Sequence, residues 1–325
     1  NSGFRAAHSI KGGAGTFGFD AIAGLTHVLE TLLDELRAGK RALEGHAVDA
    51  MLSSVDVLRA LLREAEHGQA ADPAAVAAVK AGSETRMLGK VGPDSAEFDV
   101  LGHLMDAGVG VTRIGTASEP TGTAYVFVGP DGDNWITVRP GANGAVDSAY
   151  IQGQHDTIRS AECLLLQNEI PIEPVAALLS DLAAERDRPT VILDPAPADG
   201  VEELLGCDAV DYLTPNENEY QALQSSLGAF DGVLVRKQGP DDVIVEAERR
   251  FTVTPPTVKA VDTTGAGDVL NGFLAAQLAA GASLQEAVET GTIAGSLSTR
   301  EKGARRGIPT LDDVRTYRNS ENITG

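Results

Sequence analysis

Apolar residues recur along this chain with two different periods. Over residues 4–66 the period is helical. Phe4–Ala14 reads as one helix. Phe19–Ala38 reads as a second, with Ile22, Leu25, Val28, Leu29, Leu32, Leu33 and Leu36 on one stripe. Gly45–Glu66 reads as a third, carrying Val48, Met51, Leu52, Val55, Leu58, Leu61 and Leu62. Three amphipathic helices predict a bundle. A polar, Ala-Pro joint at Gln69–Pro73 follows. Beyond it, Ala75–Ala81 reads as a helix end, Thr85–Val91 as a strand and Ala96–Ala107 as a helix. Two strands, Gly122–Gly129 and Trp135–Arg139, flank the turn Pro130–Asp133. From Glu162 onward the periods alternate. Cys163–Gln167, Thr190–Leu193, Ala209–Leu213 and Gly232–Arg236 read as strands, and Glu173–Glu185 and Asn218–Gln224 as helices between them. The β-branched stretch Phe251–Thr257 precedes a last helix, Val269–Gly281, with Leu270, Phe273, Leu274 and Leu278 on one face. Such alternation predicts an α/β fold, a parallel sheet wrapped by helices, preceded by an all-α segment.

Charge divides the chain at the same joint. The formal net charge is −21 over 325 residues. Residues 1–70 carry 7 basic and 9 acidic side chains; the other 255 carry 19 and 38, a net of −19, with only five lysines. This predicts two parts, 1–70 and 74–325. Strong acidity disfavours nucleic-acid partners and anionic membranes. It fits a protein from a salt-loving organism, where screening tolerates the self-repulsion, and equally an ordinary acidic enzyme. No run of 18 apolar residues and no apolar leader core occur, so no membrane span or signal peptide is expected. Two cysteines without paired spacing, Cys163 and Cys207, point to a reducing cytoplasm rather than a disulfide or zinc framework.

Parallel sheets place ligands at the carboxyl ends of their strands, and there the polar motifs fall. Glu169 follows the first strand, Asp194 the second, Asn216 and Glu219 the third, and Arg236–Gly239 the fourth. Asp194 by itself reads as a helix N-cap. Several carboxylates together call for a cation or a hydroxylated substrate among them. The strongest motif is Val261–Asp268, V-D-T-T-G-A-G-D. Its Gly265-Ala266-Gly267 stands where a loop becomes a helix N-terminus, whose N–H groups lack intrahelical partners and carry the positive end of the dipole. Glycines let a phosphate approach those groups. Asp268 beside them suits a base acting on a hydroxyl, and the chemistry suggested is phosphoryl transfer to an alcohol.

The octapeptide resembles the second signature of the ribokinase-like carbohydrate kinases, the PfkB family. The resemblance runs in order from about Ala74 to Arg315 through T-G-T-A-Y-V-F-V, R-P-G-A-N-G-A-V, L-Q-N-E-I-P, D-P-A-P-A, T-P-N-E-N-E and K-G-A. It implies a doubly wound sheet with helices on both faces and a small β lid remnant. It implies an ATP-dependent kinase of a sugar primary hydroxyl, with Mg²⁺ and a monovalent cation such as K⁺. Asp268 is then the base, and Gly265, Ala266 and Gly267 form the anion hole. Asn216 and Glu219 sit near the nucleotide phosphates and Mg²⁺, Glu169 touches the sugar, Gly239 lies under the nucleotide, and Thr292 is in the adenine pocket. Asp262, Thr264, Ser298, Glu301, Gly303 and Gly307 match the monovalent-cation loop, mostly through backbone carbonyls. Homodimerisation through the lid strands is a weak expectation. Three departures stand out. The family's first strand and its G-G-K-G-A-N loop are not found in the chain, the stretch between Glu219 and Gly232 is short, and Asp242 replaces the second glycine of the nucleotide loop.

His8 is the chemical feature of the first part. It stands three residues before Lys11, and His27 and Glu30 share a face of the next helix. A phosphoacceptor histidine needs a nearby cation and a partner that fixes its tautomer; a lone histidine is more often a solvated surface residue. H-S-I-K-G-G, T-F-G-F and T-H-V-L-E resemble the histidine phosphotransfer (HPt) domain of CheA-type kinases. That implies His8 as phosphoacceptor, with Lys11, His27 and Glu30 in support and a response regulator as partner. Three functions follow: a ribokinase-type sugar kinase first, then a histidine phosphotransfer module, then a chimeric, catalytically incomplete nucleotide-binding protein.

Overall fold

The computed structural model describes residues 72–97, 99–128 and 134–321. The three helices of residues 4–66, the turn at 130–133 and His8, Lys11, His27 and Glu30 lie outside them. Helix α1 (Pro73–Lys80) comes first, then β1 (Lys90–Val91), α2 (Val100–Asp106), β2 (Gly115–Thr116), β3 (Thr123–Val128) and β4 (Asn134–Arg139). Next are α3 (Ser148–Gly153), α4 (His155–Arg159), β5 (Cys163–Gln167), α5 (Ile172–Ala183), β6 (Thr190–Asp194), α6 (Glu202–Leu205), β7 (Tyr212–Leu213) and α7 (Glu217–Leu223). The chain closes with β8 (Val233–Arg236), β9 (Val243–Glu246), β10 (Phe251–Val253), α8 (Ala266–Ala279), α9 (Leu284–Ser298) and α10 (Leu311–Glu321). Strands β3 and β4 form a two-stranded sheet, and residues 124–139 belong to a separate compact unit from the rest of the described chain.

The main sheet has six strands in the order β10-β9-β8-β7-β6-β5. Strands β5 to β8 pair in parallel, with Leu165 opposite Ile192 and Leu193 opposite Leu213. The parallel part continues into an antiparallel edge, β8–β9 and β9–β10, so the complete sheet is mixed. β9 has no counterpart among the sequence-derived elements. Helices cover both faces, and β6 shows why its sequence is continuously apolar. Successive side chains point to opposite faces. Val191 and Leu193 pack with α5 and α6 residues such as Leu179, Leu182 and Leu204, while Ile192 packs with Leu270, Leu274 and Val288 of α8 and α9. Helix α8 is buried almost all round from Val269 to Ala276, more than its one expected stripe, because α1 closes its other side. A Cβ on Gly272 would run into the carbonyl of Ala74, so that glycine permits the close helix approach.

Several elements are shorter than their hydrophobic runs. The expected strand Thr85–Val91 is realised as β1 and an isolated bridge from Arg86 to Gly110. Helix α2 starts at Val100, after Asp99 in the left-handed region. Helix α9 carries its own start signal, a capping box between Ser283 and Glu286.

Candidate active site

The polar ends of β5, β6, β7 and β8 converge on the N-terminus of α8. Gly265 makes the turn into that helix, with φ 78°, and a Cβ there would lie 2.6 Å from Cβ of Ala304. Only glycine meets both conditions. The N–H of Ala266 is used by the Thr263 carbonyl, at 3.2 Å. Those of Gly267 and Asp268 have no acceptor among the described residues. The first turn of α8 therefore offers two free donors and the dipole's positive end.

Asp268 stands on that turn. Its Oδ1 accepts a hydrogen bond from Gln167 Nε2, at the end of β5, at 3.0 Å. Protein crowds the carboxylate, and burial, followed by the charges of Asp72 and Asp194, raises its pKa to about 7; Lys237 pulls the other way. A carboxylate with such a pKa takes up and releases a proton near neutrality. Glu169 is likewise raised, by burial first and then by Asp72 and Asp194. Asp72 caps α1, accepting from the N–H groups of Ala74 and Ala75 at 2.8 and 3.1 Å. Burial raises its pKa too.

Asp194 is not an N-cap. It is 3% exposed and both its oxygens are engaged at long range. Lys237 Nζ, just past β8, lies 3.0 Å from Oδ1, and Asn271 Nδ2 of α8 donates to Oδ2 at 2.7 Å. The next helix, α6, begins at Glu202, too far on to be capped by Asp194. The N-cap expectation is overturned because a buried carboxylate needs charged and hydrogen-bonding partners, which β8 and α8 supply. The N–H of Lys237 donates to the carbonyl of Pro215, beside Asn216.

Asn216 and Glu219 form a capping box at the start of α7. The Glu219 N–H donates to Asn216 Oδ1 at 3.0 Å, and the Asn216 N–H donates to Glu219 Oε2 at 2.7 Å. Burial raises the pKa of Glu219. Gly239 is exposed and has φ 62°. Thr292 is 3% exposed, and its Oγ1 is buried without a partner.

Of the expected cation-loop residues, Asp262, Thr264 and Gly303 are joined by hydrogen bonds, and Ser298 and Gly307 touch. Asp262 accepts from the N–H groups of Thr264 and Gly303, at 3.0 and 2.8 Å, strapping the 262–264 loop to the 299–307 loop. Burial opposes these donors, but they hold the Asp262 carboxyl below its usual range. A Cβ on Gly307 would strike the carbonyl of Ser298, so those backbones are in close contact. Glu301 is exposed. Among the described residues no group of three or more His, Cys, Asp or Glu could hold a metal ion.

Sequence reasoning missed Lys237, Asn271 and Gln167 as site residues. Gln167 was in view, inside L-Q-N-E-I-P. Asn271 lies one helical turn from Asp268, a spacing that puts both on neighbouring positions of α8. Lys237 was in view too, inside Arg236–Gly239 at the fourth strand end, but without a role of its own.

Residues 70–311 match the pfkB family of carbohydrate kinases, and residues 1–72 match the Hpt domain. The chain is 32% identical over 255 residues to the ribokinase of Lactococcus lactis, covering 76% of this chain and 84% of that one. It superimposes on the crystal structure of ribokinase from Thermotoga maritima with a TM-score of 0.68 at 32% identity, covering 76% of this chain and 86% of that one. The ribokinase of Arabidopsis thaliana complexed with ribose and ATP gives 0.66 at 27% identity, covering 75% and 85%.

Proposed function

The chain belongs to the pfkB family of carbohydrate kinases, and on that footing we propose that it moves the γ-phosphoryl of ATP to the primary hydroxyl of a ribose-type sugar. The observation that carries this reading is Asp268, half-ionised near neutrality, on the same helical turn as two free N–H groups. Gln167 occupies Oδ1, so Oδ2 is the atom that receives the hydroxyl proton as the sugar oxygen attacks. The amides of Gly267 and Asp268 take the charge of the equatorial oxygens. Glu169 holds a sugar hydroxyl. Asn216 and Glu219 face the phosphates, Gly239 lies under the nucleotide, and Thr292 lines the base pocket with its unpartnered hydroxyl. Mg²⁺, when bound, neutralises the phosphate oxygens. Asp262, Thr264, Ser298, Glu301, Gly303 and Gly307 would hold K⁺, which would supply positive charge near the loop whose Ala304 packs against Gly265.

A coupled ADP-release assay with D-ribose, ATP, Mg²⁺ and K⁺, at low and at molar salt, tests the reading. Ribose-dependent turnover lost in Asp268→Asn supports it. A folded protein that releases no ADP at either salt overturns it as a kinase; nucleotide still raising the melting temperature would then leave a binding protein. Work in the cytoplasm fits the two free cysteines. A homodimer formed through β3 and β4 belongs to the same reading.

The Hpt match over residues 1–72 favours a second activity in the same chain, divided near residue 70: His8 accepting a phosphoryl group for a response regulator, supported by Lys11, His27 and Glu30. Acid-labile, base-stable phosphate on the protein that disappears in His8→Gln would establish it, and its absence after incubation with a phosphorylated response regulator would end it.

A further inference from the structure

Lys237 has more donor capacity than its known contact uses. Its side chain is 12% exposed, and the ammonium is 3.0 Å from Asp194 Oδ1. Asn271 holds the other oxygen of that carboxylate from within α8, so the anchor under the lysine is fixed to the same helix that carries Asp268. The ammonium lies 3.5 Å from where a Cβ on Gly267 would stand, which puts it against the loop of free N–H groups. An ammonium has three donors. Asp194 takes one, which leaves two for a ligand at the Gly267 loop. Asp72, Asp194 and Glu169 all act on Asp268, and Lys237 is a cation that opposes them.

From this placement we infer that Lys237 is a catalytic residue whose ammonium donates directly to the transferring phosphoryl group. The inference rests on the kinase reading. In the step, the sugar oxygen forms a bond to the γ-phosphorus and the bond from that phosphorus to the β–γ bridging oxygen breaks, its electron pair leaving on ADP. The hydroxyl proton goes to Asp268, and Lys237 keeps its own. The ammonium supplies a compact positive charge beside the two amides, where three oxygens gather charge in the transition state. Asp194 and Asn271 act through Lys237 as positioning residues, holding the ammonium at the loop.

The rival role is purely structural: Lys237 as the counter-charge of buried Asp194. The two separate in a cycle of Lys237→Met, Asp194→Asn and the double variant, with Lys237→Arg alongside and melting curves to check folding. A phosphoryl contact predicts that Lys237→Met lowers kcat with ribose about 100-fold or more and leaves KM for ribose within about twofold. The double variant stays equally low, and Lys237→Arg recovers part of the loss. A counter-charge predicts that the double variant returns to near the wild-type kcat, because the buried charge it served is gone; that result, or a single variant within about threefold of wild type, overturns the inference. Calorimetric binding of ATP and of ADP, with Mg²⁺, supplies a readout independent of turnover. Wild-type protein should prefer ATP, and Lys237→Met should lose that preference while keeping its ADP affinity. An unchanged preference sinks the lysine contact alone. Wild-type protein that binds neither nucleotide sinks the kinase reading and this inference with it.

Discussion

Two carboxylates at the heart of the site meet opposite treatment. Asp194, at the end of β6, is nearly sealed from solvent, and both oxygens have partners brought from β8 and α8. Asp268, on the first turn of α8, has one donor among the described residues, Gln167, and stands beside N–H groups that have no acceptor there. The first is a closed network that fixes geometry. The second is deliberately unfinished, and its raised pKa, near 7, is the electrostatic consequence. Burial thus does different work in the two places. Where partners are complete it secures an ion, and where they are incomplete it makes a proton acceptor.

The largest test of this contrast is Asp268→Asn. Loss of a general base costs roughly 10²- to 10⁴-fold in rate, and ribose-dependent ADP release should fall by that order. Stability should move the other way. The folded pKa of Asp268 is raised above its unfolded value, so its favourable contribution is complete below about pH 4 and is lost as pH rises through about 7. The melting temperature of Asp268→Asn relative to wild type should therefore climb between those two values and level off above them. A gap that is flat with pH would show that the carboxylate is not held as described.

Asp194→Ala attacks the closed network. It strands a buried ammonium and an asparagine amide, and removal of one partner of a buried pair costs about 3–5 kcal/mol, readable by urea unfolding. A loss under about 1 kcal/mol, the size of a surface pair, would mean the network is not closed. Gln167→Leu removes the one donor on Asp268. About tenfold in kcat is expected, one ordinary hydrogen bond to a charged group. The acid limb of the rate profile should also move to higher pH, because the ionised form loses support. Asp72→Asn is the gentlest change. Asparagine caps a helix as well as aspartate does, so folding should hold, while removal of the nearby negative charge should shift the acid limb to lower pH. A limb that does not move would remove Asp72 from the electrostatics of the base.

The Asp268 half of this contrast is legible in the sequence. The octapeptide at Val261–Asp268 announces a glycine turn into a helix with an acid on its first turn, and that is a local property of chain stereochemistry. The run of strand ends bearing polar residues is also visible, because parallel strands alternate with helices at regular spacing. What stayed hidden is the long-range part. Asp194 meets Lys237 across 43 residues and Asn271 across 77, and no periodicity encodes such a pairing. Read alone, Asp194 looked like a cap because capping is the commonest local use of an acid after a strand. Helix α9 was passed over for a different reason: its Gly, Ser and Thr content blurs the apolar stripe, although Ser283 and Glu286 mark its start.

The contact at Gly272 has a bearing on how the chain is born. Helix α1 leaves the ribosome about 200 residues before the partner it presses against, α8. At about 5–20 residues per second, α1 waits roughly 10–40 s with its alanine face uncovered. Nascent chains stalled before residue 266 should therefore leave α1 open to proteolysis, and chains stalled far enough past residue 279 to release α8 should protect it.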